Sequence, residues 1–392
     1  MRRYALTLFA GLALLMVAAA GANWLIDPYG YWHAPRLTGL NVFKPKAGRH
    51  LAAVKGRQAA RILPKTIVAG NSRVHVGIDP ASAVWPAAYR PVYNYGLPGV
   101  GLASLTTGLD DVIETTGATR LYLGVDFIDF RLPKTAWTAP VAYRPPDALA
   151  LTRDTLISLD ALTDSLATVA EQHSAYPFTI TDLGANGTGS YDELVATEGH
   201  FALFDQRERA NIAALSRAER RFDWQTDNPA SVALEAFLAD MAARGVEVVI
   251  FTYPYHAQLL GAFAAVGAWP EFIAWKRDLV RIADAADVPL WDFARFGPVT
   301  AERVPAVGDT RTRLDHYWEA GHFKAALGNR LIADMLAGES EIGVRLAPST
   351  VDRALTSNRE ACRALFRGPD GARLIERAGW RPVAGSGQTL PC

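Results

Sequence analysis

Five short apolar runs, at residues 66–69, 92–95, 121–127, 246–253 and 290–293, constrain the fold of this chain more than any other feature. They are apolar nearly throughout rather than alternating, so each reads as a strand buried on both faces. Stretches of helical period at about 101–117, 230–244, 268–287 and 320–337 lie between or after them. Such strands separated by helices predict an α/β class built on a parallel sheet covered on both faces. Half of the 392 residues are apolar, enough for one large domain of this kind with additions.

The N-terminus adds a second constraint. Arg2 and Arg3 precede an apolar run over about 4–22 that is long enough to cross a bilayer as a helix, and the arginines favour a cytoplasmic N-terminus. Ala18, Ala20 and Ala22 also suit a signal-peptide cleavage site. The run outlasts a typical signal core and continues into Trp24, Leu25 and Ile26, which favours a retained anchor over 1–26; by either route the rest of the chain is exported. Only Cys362 and Cys392 are cysteines, and in an oxidising compartment they predict one disulfide that ties down the tail. The eight histidines are scattered without zinc-type spacing, so neither a metal nor a cofactor is implied. Lys+Arg and Asp+Glu balance at 40 each, which leaves no bulk attraction for nucleic acid.

The organisation expected from these signals is an anchor at 1–26, a membrane-proximal lead-in at 27–64, a domain at 65–340 and a tail at 341–392 holding one more amphipathic helix. Residues 131–230 interrupt the strand–helix rhythm with their own helical piece at 148–172 and a Gly/Asn-rich stretch around 182–190, and read as an insertion or cap.

Ligands of parallel α/β sheets collect at the C-terminal ends of the strands, so the residues just beyond each run are the chemical candidates. The first run leads into Gly70-Asn71-Ser72-Arg73, a turn that places Ser72 at the strand exit as a candidate nucleophile, with Arg73 beside it for an anionic group. A serine hydroxyl needs a base at neutral pH. Tyr317-Trp318-Glu319-Ala320-Gly321-His322 supplies one before the last helix of the domain: His322 as base, with Glu319 three residues earlier, or Asp315, to orient the imidazole. At the end of the fourth run, Tyr253 and His256 are candidates for the cleft rim.

A Gly-x-Ser at the first strand and an acid-x-x-His before the last helix are the outer blocks of the SGNH/GDSL hydrolase superfamily, which the chain resembles over about 65–337 without the insertion. The resemblance implies a three-layer, flavodoxin-like sheet and an oxyanion hole made by the backbone N–H of Ser72 and of a glycine after the second strand. In Asn94-Tyr95-Gly96-Leu97-Pro98-Gly99 the better match is Gly99, with Gly96 as the alternative. The family's third block carries an asparagine donor where this chain has Asp126, and a carboxylate aimed at an oxyanion would repel it. Asn71 replaces the usual aspartate before the serine, and Glu319 the usual aspartate of the last block. Asn71, Asn94 and Asp315 complete the expected substrate-side residues.

The anchor, the Gly-Asn-Ser-Arg block and the large insertion look most like the exported SGNH-like proteins of alginate-type polysaccharide O-acetylation and of teichoic-acid D-alanylation. That similarity implies an ester hydrolase or O-acyltransferase on an extracytoplasmic glycan or cell-envelope polymer, held by one span in a bacterial inner membrane with its domain in the periplasm. It also implies a membrane-bound acyltransferase as partner. The competing expectation, carried by Asp126, is a non-catalytic SGNH-like domain that binds polysaccharide or such a partner.

Overall fold

The structure, a computed structural model, describes residues 2–133, 147–217, 220–222, 228–382 and 389–392. The chain divides into two compact units, Met1–Ile62 with Arg144–Glu193, and Leu63–Tyr143 with Leu194–Cys392.

In the first unit the helix Arg2–Ile26 is long and apolar enough to cross a membrane, a property that a signal sequence shares. Its last carbonyls lack intrahelical donors. Two buried side chains supply them: Asn41 Nδ2 donates to Leu25 O and Lys44 Nζ to Ile26 O, both at 2.8 Å. The lead-in and the first half of the expected insertion belong together. Tyr29 OH donates to Asp164 Oδ2 at 2.8 Å, and Gln172 exchanges hydrogen bonds of 3.0 Å with the backbone of Phe43. The expected insertion at 131–230 is divided between the units: residues 144–193 belong with the lead-in, while the chain from Leu194 joins the second unit. The helical piece expected over 148–172 is also broken. A helix at Ala148–Thr152 and a π-helical turn at Arg153–Ile157 stop at Ser158, whose side chain caps the next helix, Leu159–Ala170, at Ala161 N.

The second unit holds ten strands among the described residues: β1 Thr66–Gly70, β2 Val92–Gly96, β3 Arg120–Val125, β4 Leu132–Pro133, β5 Arg220–Arg221, β6 Glu247–Thr252, β7 Leu290–Asp292, β8 Tyr317–Glu319, β9 His322–Phe323 and β10 Val344–Leu346. Six form one sheet in the order β10-β7-β6-β3-β1-β2, parallel except for β10. The five parallel strands coincide with the five apolar runs to within one or two residues, and β1 and β2 are buried along their whole length. The helices Leu102–Thr116, Pro229–Ala243 and Trp269–Ala285 make the crossovers that parallel strands require.

Two expectations fail locally. The last helix of the domain starts at Ala325, not 320, because residues 317–323 fold into the β8–β9 hairpin, its turn closed by Gly321 N–H donating to Glu319 Oε2 at 2.7 Å. Among the described residues the tail holds β10 and two helices, Val351–Phe366 and Pro369–Ala378, where one was expected. Cys362 and Cys392 are joined as a disulfide.

Candidate active site

Strands β1, β2, β3 and β6 all point their C-terminal ends to one edge of the sheet, and the residues just beyond these ends build the site. β1 ends at Gly70, and Ser72 opens the short helix Ser72–Gly77 two residues later. Asn71 caps that helix, its Oδ1 accepting from Arg73 N at 3.1 Å. As the first helical residue, Ser72 has an N–H with no intrahelical acceptor.

His322 comes to Ser72 from 250 residues away, on β9. Its Nε2 lies 2.7 Å from Ser72 Oγ, and its Nδ1 is hydrogen-bonded to Glu319 Oε1. A carboxylate only accepts, so Nδ1 carries the proton and Nε2 is the acceptor for the serine hydroxyl. Glu319 is 2 % exposed. Burial alone would raise its carboxyl, but the His322 charge and hydrogen bond, the Gly321 N–H and Arg207 outweigh burial and hold it below the ordinary range. Arg207 Nε stands 3.9 Å from Glu319 Oε1.

Asp126 does not occupy the role that its alignment with the family's asparagine suggested. Its Oδ1 accepts from Ile128 N at 3.1 Å and Tyr255 OH at 2.5 Å, and its Oδ2 from Asn71 Nδ2 at 2.7 Å and Arg73 Nη1. Four donors use the acceptor capacity of a carboxylate, and it has no proton to offer an oxyanion. Arg73 is likewise committed. It is 8 % exposed, paired with Asp126, and its guanidinium lies 5.1 Å from the ring centre of Tyr255 and 5.5 Å from that of Tyr253. Burial works against its charge and Asp126 more than compensates, so its pKa is raised. Burial, then the Asp126 charge, pushes the Tyr255 phenol well above its usual value, which keeps it a donor.

Several expected substrate-side residues are structural for equally plain reasons. Asn71 bridges Arg73 N and Asp126. Asn94 Nδ2 donates to Val74 O and Ile78 O, both at 2.8 Å, and its Oδ1 accepts from Gly96 N at 2.9 Å, tying β2 to the serine helix. Gly96 thus spends its N–H locally, and a Cβ there would sit 2.3 Å from His75 N, so the glycine serves close packing. Tyr253 is 1 % exposed; its OH donates to Gly124 O at 2.9 Å and accepts from Asn71 N at 3.2 Å, beneath the site rather than at its rim. Asp315 is exposed, and its N–H donates to Glu302 at 2.7 Å, so Glu319 and not Asp315 partners His322. Gly99 remains in an exposed turn after β2, at φ +73°.

His256 is buried and capped into the fold: its Nδ1 accepts from Gln258 N at 3.2 Å and its Nε2–H donates to Glu302 O at 2.8 Å. His200, which no local pattern marked, does the equivalent under β8, with Nδ1–H donating to Trp318 O at 3.1 Å and Nε2 accepting from Leu314 N at 3.2 Å. Burial is the main cause that holds both imidazoles at about 4, below the ordinary 6.5. The unfolded chain therefore takes up protons below 6.5 that the folded chain refuses. Stability is full above that pH and is lost as pH falls towards about 4, at roughly 1.4 kcal/mol per pH unit for His256, with His200 acting in the same direction. Urea midpoints measured at neutral pH and near pH 5 should fall on acidification, and the fall should shrink in His256→Gln; equal midpoints would refute this account.

His200 and Arg207, on the helix Gly199–Leu215, are the supporting residues that sequence reasoning missed, since nothing in their neighbourhood marks a contact with residues more than a hundred positions away. No protein-family model, no curated protein and no solved structure matches this chain.

Proposed function

We propose that the chain is a serine-dependent ester hydrolase or O-acyltransferase of the SGNH type, acting on an extracytoplasmic glycan or cell-envelope polymer. The observation that carries this reading is the Ser72–His322–Glu319 arrangement at the C-terminal edge of a parallel sheet, with Oγ and Nε2 2.7 Å apart. The order of the five parallel strands, second-first-third-fourth-fifth, supports the flavodoxin-like part of it.

In this mechanism Ser72 Oγ attacks an acyl carbonyl as His322 Nε2 takes its proton, and Glu319 stabilises the imidazolium. The N–H groups of Ser72 and Gly99 receive the oxyanion. Collapse of the adduct returns the proton to the leaving oxygen and leaves the acyl group on Ser72. Water or a sugar hydroxyl, deprotonated by the same imidazole, then takes the acyl group. The commitment of the Asp126 carboxylate to Arg73, Asn71 and Tyr255, where it is not aimed at an oxyanion, supports the catalytic reading over the binding-only one. A periplasmic site held by the N-terminal helix, supplied by a membrane-bound acyltransferase, is the setting that fits this chemistry.

The test is to expose the full chain to p-nitrophenyl acetate and map acetylated peptides by mass spectrometry. Acetyl on Ser72, released with time, is the expected result. A folded protein with neither turnover nor adduct would return the chain to the binding role.

A further inference from the structure

The helix Leu159–Ala170 is turned inside out. Its buried positions are Ala161, Asp164, Ser165 and Thr168, whereas Leu159 and Leu166 are 81 % and 66 % exposed. Two of the buried polar groups are paired within the unit: Asp164 with Tyr29 and Arg49, and Ser165 with Asn23 Oδ1 at 2.8 Å. The inversion continues in the preceding turn. Thr155 is fully buried and accepts from Trp32 Nε1 at 3.0 Å, while Ile157 and Leu149 are 51 % and 76 % exposed. A surface helix facing water carries the opposite pattern.

We propose that residues 148–170 form a second membrane contact, lying in the bilayer interface beside the N-terminal helix with Leu149, Ile157, Leu159 and Leu166 among the acyl chains. The occupant of this apolar face is identified by the partners to which the segment is bonded. Asn23, in the last turn of the apolar helix, donates through Nδ2 to Leu156 O at 2.8 Å and accepts from Ser165. The segment is therefore fastened at the level where a span ending at Ile26 leaves the hydrocarbon. Trp24 and Leu25, on the same turn, are themselves partly exposed, and tryptophan favours that depth. An apolar face at this level matches the immersion of interfacial helices. Two attachments rather than one fix the orientation of this unit against the bilayer. The inference goes beyond the esterase reading and rests only on the N-terminal helix spanning the membrane.

The test uses the full chain in phosphatidylcholine vesicles. With Cys362 and Cys392 in a disulfide, a single introduced thiol can carry a fluorophore at Leu159→Cys, at Leu166→Cys, or at Leu12→Cys within the apolar helix. Brominated lipid should quench the fluorophore at 159 and 166 as well as at 12, and aqueous iodide should quench it at none of the three. Iodide quenching at 159 and 166 with lipid quenching at 12 would overturn the inference while leaving the span intact. Shielding of 159 and 166 from both quenchers would overturn it in favour of a protein partner or a second copy. Lipid quenching at none of the three positions would mean that the span itself fails, and the inference with it.

Discussion

Ser72→Ala and His322→Ala should each lower kcat/KM for p-nitrophenyl acetate by roughly 10⁴-fold or more, and the double variant should lose no more than either single one. The reason is that hydroxyl and imidazole act as one unit. Without the base, Ser72 Oγ keeps its proton at neutral pH, and without Oγ the base has nothing to activate. Glu319→Gln should fall by about 10³- to 10⁴-fold, because an amide facing Nδ1 no longer fixes the tautomer or offsets the imidazolium charge. Ser72 carries no charge, so Ser72→Ala should unfold at the midpoint of the parent, whereas His322→Ala leaves the buried Glu319 carboxylate without its main partner and should unfold at a lower one. A Ser72→Ala protein that retains activity within tenfold would eliminate this nucleophile.

The second large effect concerns stability. Asp126→Asn, which introduces the residue type of the SGNH third block that the chain resembles, should destabilise the chain by about 3–5 kcal/mol and should not raise kcat/KM. Asparagine would present an NH₂ group to donors, either the Arg73 guanidinium and Asn71 Nδ2 or the Tyr255 hydroxyl and Ile128 N–H, depending on how the amide turns. It would also leave a buried guanidinium without its counter-charge. Replacing both partners removes that orphaned charge, so Arg73→Met combined with Asp126→Asn should cost less than the sum of the two single changes. Urea midpoints of the four proteins measure the coupling. An Asp126→Asn variant with an unchanged midpoint, or one with faster turnover, would return Asp126 to the oxyanion site.

The parts of the site that could be read from the chain were those whose cause is local. Ser72 stands out because a buried β-run must end in a turn and the residue after the turn is displayed at the sheet edge. Glu319 and His322 stand out because they are three apart beside a glycine. Arg73, Asn71, Asn94, Tyr253 and His256 look the same by this criterion, since polarity at a strand end is the only local signal. Whether such a side chain faces a ligand or satisfies the hydrogen bonds of its neighbours depends on residues 20 to 180 positions away, such as Val74 O for Asn94 and Asp126 for Arg73 and Asn71.

The apolar N-terminal helix, the five parallel strands and the helices that cross between them are all legible in the chain before it folds. Each comes from a run of neighbouring side chains that must leave water together, and that requirement is written in composition and period. Folding alone settled that residues 317–323 are a hairpin instead of a helix start, that 131–230 is shared between two units, and that Asp126 anchors Arg73 instead of facing an oxyanion. Each of these depends on which distant donor meets which acceptor once water is excluded, and a buried polar group takes the partner that the packed chain brings to it.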